Sequence, residues 1–250
     1  MNRKWFRFTA ATIPFAIYLS LGVAASGIHA SQRLEITRLA ELMQWKAGTI
    51  VADVGAGDGT YSFEAAAKVG PSGRVYATEI DKEKLKNLRA EVAKRKLSNL
   101  MIVEGAADDT KLPSSCCDAI FLRHVYHHLT LPQDFDRNLV RSLKPGAHLA
   151  IIDFPPSPNS EPVEGVPKNR GGHGIPEKVM VEELTSTGLQ VEKVIDDWSK
   201  RDYCVIFLKS DLRYGRNLGL TSGMKLPKLL AAFEVDGWIF QVTWSESDWL

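Results

Sequence analysis

Cysteine is scarce in this chain, with three in 250 residues, two of them adjacent (Cys116, Cys117). That leaves neither a disulfide framework nor a spaced set of thiolate metal ligands. The adjacent pair reads as a loop edge running into a strand. Charge of one sign is lacking too. Thirty-one basic residues against 30 acidic ones give a formal net charge of +1, so no strong pull toward nucleic acid or an anionic surface is built in. No internal repeat and no low-complexity tract is present, so the chain is not assembled from copies of one module.

What is present suits a globular protein. Hydrophobic residues make up 44% and charged residues 24%, and the length is ample for a large core. The N-terminus departs from this. Arg3, Lys4 and Arg7 precede an apolar run that ends in Ala24, Ala25, Ser26 and Gly27. A basic flank, an apolar stretch and small residues are the pattern of a secretory signal peptide. An uncleaved anchor is the close alternative, because the run is long enough to cross a bilayer. Residues 1–30 are therefore expected to export or anchor the chain at the cell envelope, with membrane contact through residues 8–27. A buried N-terminal helix kinked at Pro14, in a cytoplasmic protein, is the competing reading.

Beyond the leader, "LEITRLAELMQW" carries Leu39, Leu42 and Met43 at helical spacing. Strand and helix patterns then alternate. Strands are expected at 49–54, 74–79, 99–104, 117–122 and 147–154, and helices over 60–68, 81–96 and 131–144. A Pro-, Gly- and Ser-rich loop follows (155–175), long enough to suggest a lid. A helix closed by Gly188 and two further strands, "QVEKVIDDW" and "DYCVIFLK", complete the pattern. Continuous apolar strands alternating with helices predict an α/β fold: a doubly wound, mostly parallel seven-stranded sheet with helices on both faces. Residues 31–210 form that domain. Residues 211–250, which hold Trp238, Trp244 and Trp249, form a C-terminal extension.

The stretch "VADVGAGDGTY" (51–61) ends the first strand in glycines on alternate positions, where a ligand sits in such folds. A dinucleotide fingerprint needs G-x-G-x-x-G, but the position three after Gly57 is Thr60. The lysine of a phosphate-binding P-loop is missing too. Glu79 closes the second strand, where a carboxylate can accept both hydroxyls of a ribose. With these features go Asp53, the Asp108/Asp109 pair before "LP", "DAIFLRHVYHHL" and "LKPGAHLAIIDF".

Together these pieces resemble the class I S-adenosylmethionine-dependent methyltransferases, from about Trp45 to Phe154 and more loosely to Lys209. The resemblance implies S-adenosyl-L-methionine as cofactor. It implies that Gly55 and Gly57 let the backbone approach the cofactor, with Gly59 completing the loop. Asp53 helps hold the amino group, Glu79 takes the ribose hydroxyls and Asp108 receives the adenine amino group, with Asp109 as substitute. A small-molecule methyl acceptor is expected, and no nucleic-acid partner. A nicotinamide- or flavin-dependent oxidoreductase is the runner-up. A non-catalytic envelope protein that uses the fold as a scaffold for its Trp-rich tail is the third reading.

Methyl transfer needs a base only when the acceptor arrives protonated. "LRHVYHHL" places Arg123, His124, Tyr126, His127 and His128 at the mouth of the site, and His127 is favoured as base or orienting group, with His128 second. His124, His127 and His128 are set aside as a metal site, because the segment leaves a strand and offers no carboxylate or thiolate partner. Arg170 and His173 in the long loop are candidate acceptor contacts.

Overall fold

A computed structural model describes residues 30–157, 160–161 and 163–211, and two strands at 230–235 and 238–243. The leader expected over 1–30 lies outside them except for Ala30, as do Trp244 and Trp249. No helix among the described residues is long and apolar enough to cross a membrane.

The elements run α1 (30–42), β1 (Ile50–Val54), α2 (Thr60–Val69), β2 (Arg74–Glu79), α3 (Lys82–Arg95), β3 (Leu100–Glu104) and β4 (Cys117–Arg123), then α4 (Pro132–Ser142), β5 (Leu143–Asp153), α5 (Glu177–Ser186), β6 (Leu189–Ser199) and β7 (Asp202–Lys209). They build one seven-stranded sheet in the order β3-β2-β1-β4-β5-β7-β6. The first five strands pair in parallel, and β7 runs antiparallel to both its neighbours. Winding reverses between β1 and β4, which opens a crevice beyond their carboxyl ends. Both faces are covered: Val51, Ala52 and Val54 on β1 and Ala119, Ile120, Phe121 and Leu122 on β4 are all buried.

Local chemistry sets the element ends. Asp81 caps α3, its carboxylate accepting from the Glu83 and Lys84 amides, so the helix proper begins one residue after the expected start. The larger difference is at β5, which begins at Leu143 and not at 147. Leu143 pairs with Cys117, the register then slips, and His148 pairs with Ala119. Pro145 has no amide proton to give and Gly146 has φ +74°, so "KPG" bulges out of a strand already under way. Cys116 and Cys117, expected as a plain loop edge, are joined by a vicinal disulfide there.

Helix α1 buries Ile36, Leu39 and Ala40. Its Glu35 carboxylate accepts from the Tyr61 hydroxyl (2.6 Å), the Trp198 indole (2.7 Å) and Arg123 (2.9 Å). One side chain thus fastens the helix to α2, β6 and β4. The described residues divide into two compact units after Ser210. The second contains an antiparallel pair, β8 (Leu230–Val235) and β9 (Trp238–Thr243).

Candidate active site

The three loop glycines do different work. Amides of Gly55 and Ala56 both donate to the Thr78 carbonyl, at 2.9 and 2.8 Å, and staple the loop to β2. A Cβ on Gly55 would run into the Val125 side chain, and one on Gly59 into Leu88 and Phe63. These two glycines let protein pack on protein. Gly57 is different: its φ is +59° and nothing lies within 4 Å of where its Cβ would be. Its amide donates to Glu79 Oε2 at 3.0 Å. Glu79 is buried and spends its other oxygen on the amides of Ile80 (2.7 Å) and Asp81 (3.0 Å).

Gly57 and Glu79 face a cavity of about 540 Å³ beyond the ends of β1, β2 and β4, lined also by Gly55, Thr110, His124 and His128. That is an ordinary size for a small-molecule site. A roomier cleft of about 860 Å³ between α4 and α5 has no part of the glycine loop in its wall.

Asp53 and Asp108 do not line the cavity. Asp53 sits behind the loop, buried, with the Ser62 hydroxyl donating to it at 2.6 Å. Burial lifts its carboxyl from 3.8 to about 7, the Ser62 bond opposing and the charges of Asp58 and Glu79 adding. In the unfolded chain the group ionises near 3.8, so between about pH 4 and pH 7 the folded chain holds the extra proton. Its contribution to stability is therefore full below about pH 4 and declines as the pH rises to 7, staying low above that. Asp53→Asn removes this titration and keeps an oxygen for Ser62. Urea melts should find variant and parent about equal at pH 4, with the variant ahead by up to about 4 kcal/mol at pH 8.

Asp108 is exposed, because a tight turn from the Ala106 amide to the Asp109 carbonyl (2.7 Å) turns it outward. Asp109 pairs with Lys111 and Arg141. Thr110, with Gly105, Ala106 and Ala107, lines the cavity at this point.

The histidines separate as well. His124, at φ +55°, packs edge-on against Phe154 and lies 3.0 Å from Asp202. A 3₁₀ turn, Tyr126–His128, then buries His127 beside the last residue of β5. His127 Nδ1 lies 2.7 Å from Asp153 Oδ1, and its backbone amide donates to Oδ2 at 3.1 Å. Asp153 Oδ1 also accepts from the Phe154 amide, and with a carboxylate facing it Nδ1 is assigned as the donor. Its Nε2 is buried without a hydrogen-bond partner. His128 is the more exposed and faces the cavity. Desolvation and the nearby His127 and His173 hold its pKa below the usual imidazole value. Sequence reasoning missed Asp153, although an acid ending the strand beside β4 was there to be read in "AIIDF".

Arg170, expected near an acceptor, is buried. It donates to the Leu129 and Tyr126 carbonyls (2.7 and 3.1 Å) and pairs with Glu183 at 3.1 Å. It clamps the long loop onto the 3₁₀ turn. His173 does reach the site, its ring 4.8 Å from that of His127.

A family model described as a methyltransferase domain matches residues 52–151, the span that holds the glycine loop, Glu79, His124, His127, His128 and most of β5. That match, the sheet order and the similarity below support a class I S-adenosylmethionine-dependent methyltransferase domain. The domain is similar to a SAM dependent methyltransferase from Aquifex aeolicus, with a TM-score of 0.60 and 28% identity over 71% of this chain and 92% of that one. It is 29% identical over 126 residues to a demethylmenaquinone methyltransferase of Listeria monocytogenes, covering 50% of this chain and 52% of that protein. A ubiquinone/menaquinone biosynthesis C-methyltransferase of Pseudomonas putida is 28% identical over 133 residues, 53% of this chain and 51% of its own length. The chain thus spans about half the length of the curated relatives it matches.

Proposed function

We propose that this protein transfers a methyl group from S-adenosyl-L-methionine to a small-molecule acceptor. The observation that carries the reading is Gly57, whose bare Cα faces open space while its amide is held by the Glu79 carboxylate inside the switch-point cavity. A side chain there would fill the cradle that a nucleoside needs. When bound, the cofactor supplies a methyl carbon already activated by positive sulfur.

The chain's own residues then orient and shield. Gly57 offers backbone at close range, and Glu79 receives a ribose hydroxyl. Asp53 acts from behind the loop by holding the start of α2 through Ser62, and Thr110 stands where Asp108 was expected. His128, held neutral at the cavity wall, accepts the proton of an acceptor hydroxyl or thiol. His127, fixed by Asp153, supports it with their ring centroids 4.0 Å apart. The relatives named for quinones favour a small acceptor.

Calorimetric titration of the full-length chain tests the reading. S-adenosylmethionine is expected to bind with one site per chain and NADH to give no heat. Binding of NADH without S-adenosylmethionine reverses the assignment to an oxidoreductase.

A further inference from the structure

We propose that His127, His128 and His173 form a binding site for a divalent cation of the zinc class at the mouth of the cofactor cavity. One nitrogen from each of the three can be chosen so that all lie within 4.8 Å of one another. Around a tetrahedral zinc with Zn–N bonds of about 2.1 Å, neighbouring nitrogens sit about 3.4 Å apart. Side-chain rotation of His128 and His173, both exposed, closes that gap.

Two independent features point to an ion. The first is the buried Nε2 of His127, which has no hydrogen-bond partner although His127 is only 2% exposed. The Asp153 carboxylate accepts from Nδ1–H, so in the neutral ring Nε2 presents a lone pair. A carboxylate behind a ligating histidine fixes the tautomer and ring direction in just this way. The second is the loop that delivers His173. A Cβ at Gly172 would meet Ser160, and one at Gly174 would come within 2.8 Å of the Phe154 carbonyl. The Ser160 hydroxyl also receives the His173 amide at 3.1 Å. The backbone is pressed in at both flanking residues, and the histidine between them is held over His127. A solvent-exposed histidine needs no such support.

Three imidazoles without a carboxylate ligand select zinc and its transition-metal neighbours over magnesium or calcium. Three protein ligands leave a fourth position open, and His128, one of the three, lines the cavity. An acceptor offering an anionic oxygen or sulfur can complete the coordination there. With the cation bound, the lone pair of His128 holds the ion and no longer takes the acceptor's proton. The charge of the ion lowers the pKa of the coordinated hydroxyl or thiol, whose proton leaves to solvent. The placement beside an acceptor rests on the methyltransferase reading, whereas the cation site does not.

The test uses the purified full-length chain, oxidised at Cys116–Cys117, stripped with a chelator and titrated with Zn²⁺ against a chromophoric competitor. One Zn²⁺ per chain is expected, and Co²⁺ should give the visible bands of a tetrahedral site. His173→Ala and His128→Ala change exposed residues and should each weaken Zn²⁺ at least tenfold. Asp153→Asn should weaken it about 10- to 100-fold, while His148→Ala, at a residue that pairs with Glu192 at 3.1 Å, changes nothing. No Zn²⁺ uptake by the parent, or undiminished affinity in either His173→Ala or His128→Ala, overturns the three-histidine site. Titration with S-adenosylmethionine on the same samples separates that failure from failure of the methyltransferase reading.

Discussion

Glu79→Gln is expected to weaken S-adenosylmethionine binding about 10- to 100-fold, measured by calorimetric titration. The physical reason is acceptor arithmetic. A carboxylate offers two oxygens and about four acceptor positions. Three are already in use, one by the Gly57 amide and two by Ile80 and Asp81. One position remains for a ribose hydroxyl, so binding draws on a group that is nearly saturated by its own backbone. Glutamine keeps one oxygen and replaces the other with an NH₂, which must then face a backbone N–H. Either Gly57 is released or the entry to α3 is disturbed. A charge-assisted bond is worth about 1.5–3 kcal/mol, and its loss falls on the bound state. Unchanged affinity in this variant would remove Glu79 from the ribose.

Gly59→Ala should cost about 2–4 kcal/mol of folding stability, lowering Tm by roughly 5–15 °C in thermal melts without cofactor. Gly59 has φ +81°, and its missing Cβ is aimed at Leu88 Cδ2, a side chain fully packed between α3 and the sheet. Backbone strain and overpacking therefore add. Gly57→Ala makes the sharp contrast. It carries the positive-φ strain, about 1–2 kcal/mol, but meets no atom within 4 Å. Its cost should fall on the ligand, as a loss of about 10- to 100-fold in affinity where the methyl enters the cavity. If Gly57→Ala binds cofactor as tightly as the parent, the cavity is not the nucleoside site.

That pair also shows what the sequence could disclose. Strand and helix periodicity needs only neighbours along the chain, and β1, β2 and the switch-point position of the loop were readable from it. The β5 start was not, because "KPG" ends a helix in one context and forms a bulge in another, and the Cys117–Leu143 pairing chooses between them. The glycines were legible as a group but not as individuals. Only the arrival of Val125 at Gly55 and of Leu88 at Gly59 tells packing from ligand approach. The same holds for Asp108, turned outward by a local turn, and for Arg170, drawn inward by two carbonyls and Glu183. The pairing of His127 with Asp153 joins residues 26 apart, and adjacency of β4 and β5 creates it.

The place of β7 in the sheet also bears on biosynthesis. The last strand of this seven-stranded sheet to be made is inserted between β5 and β6, and β6 has no neighbour in the sheet except β7. While the polypeptide is still emerging from the ribosome, β1 to β5 can assemble in sequence as they appear. The far side of β5 stays open until Lys209 has been extruded. Nascent chains released before that point would present an unpaired β-strand edge to one another, a template for aggregation.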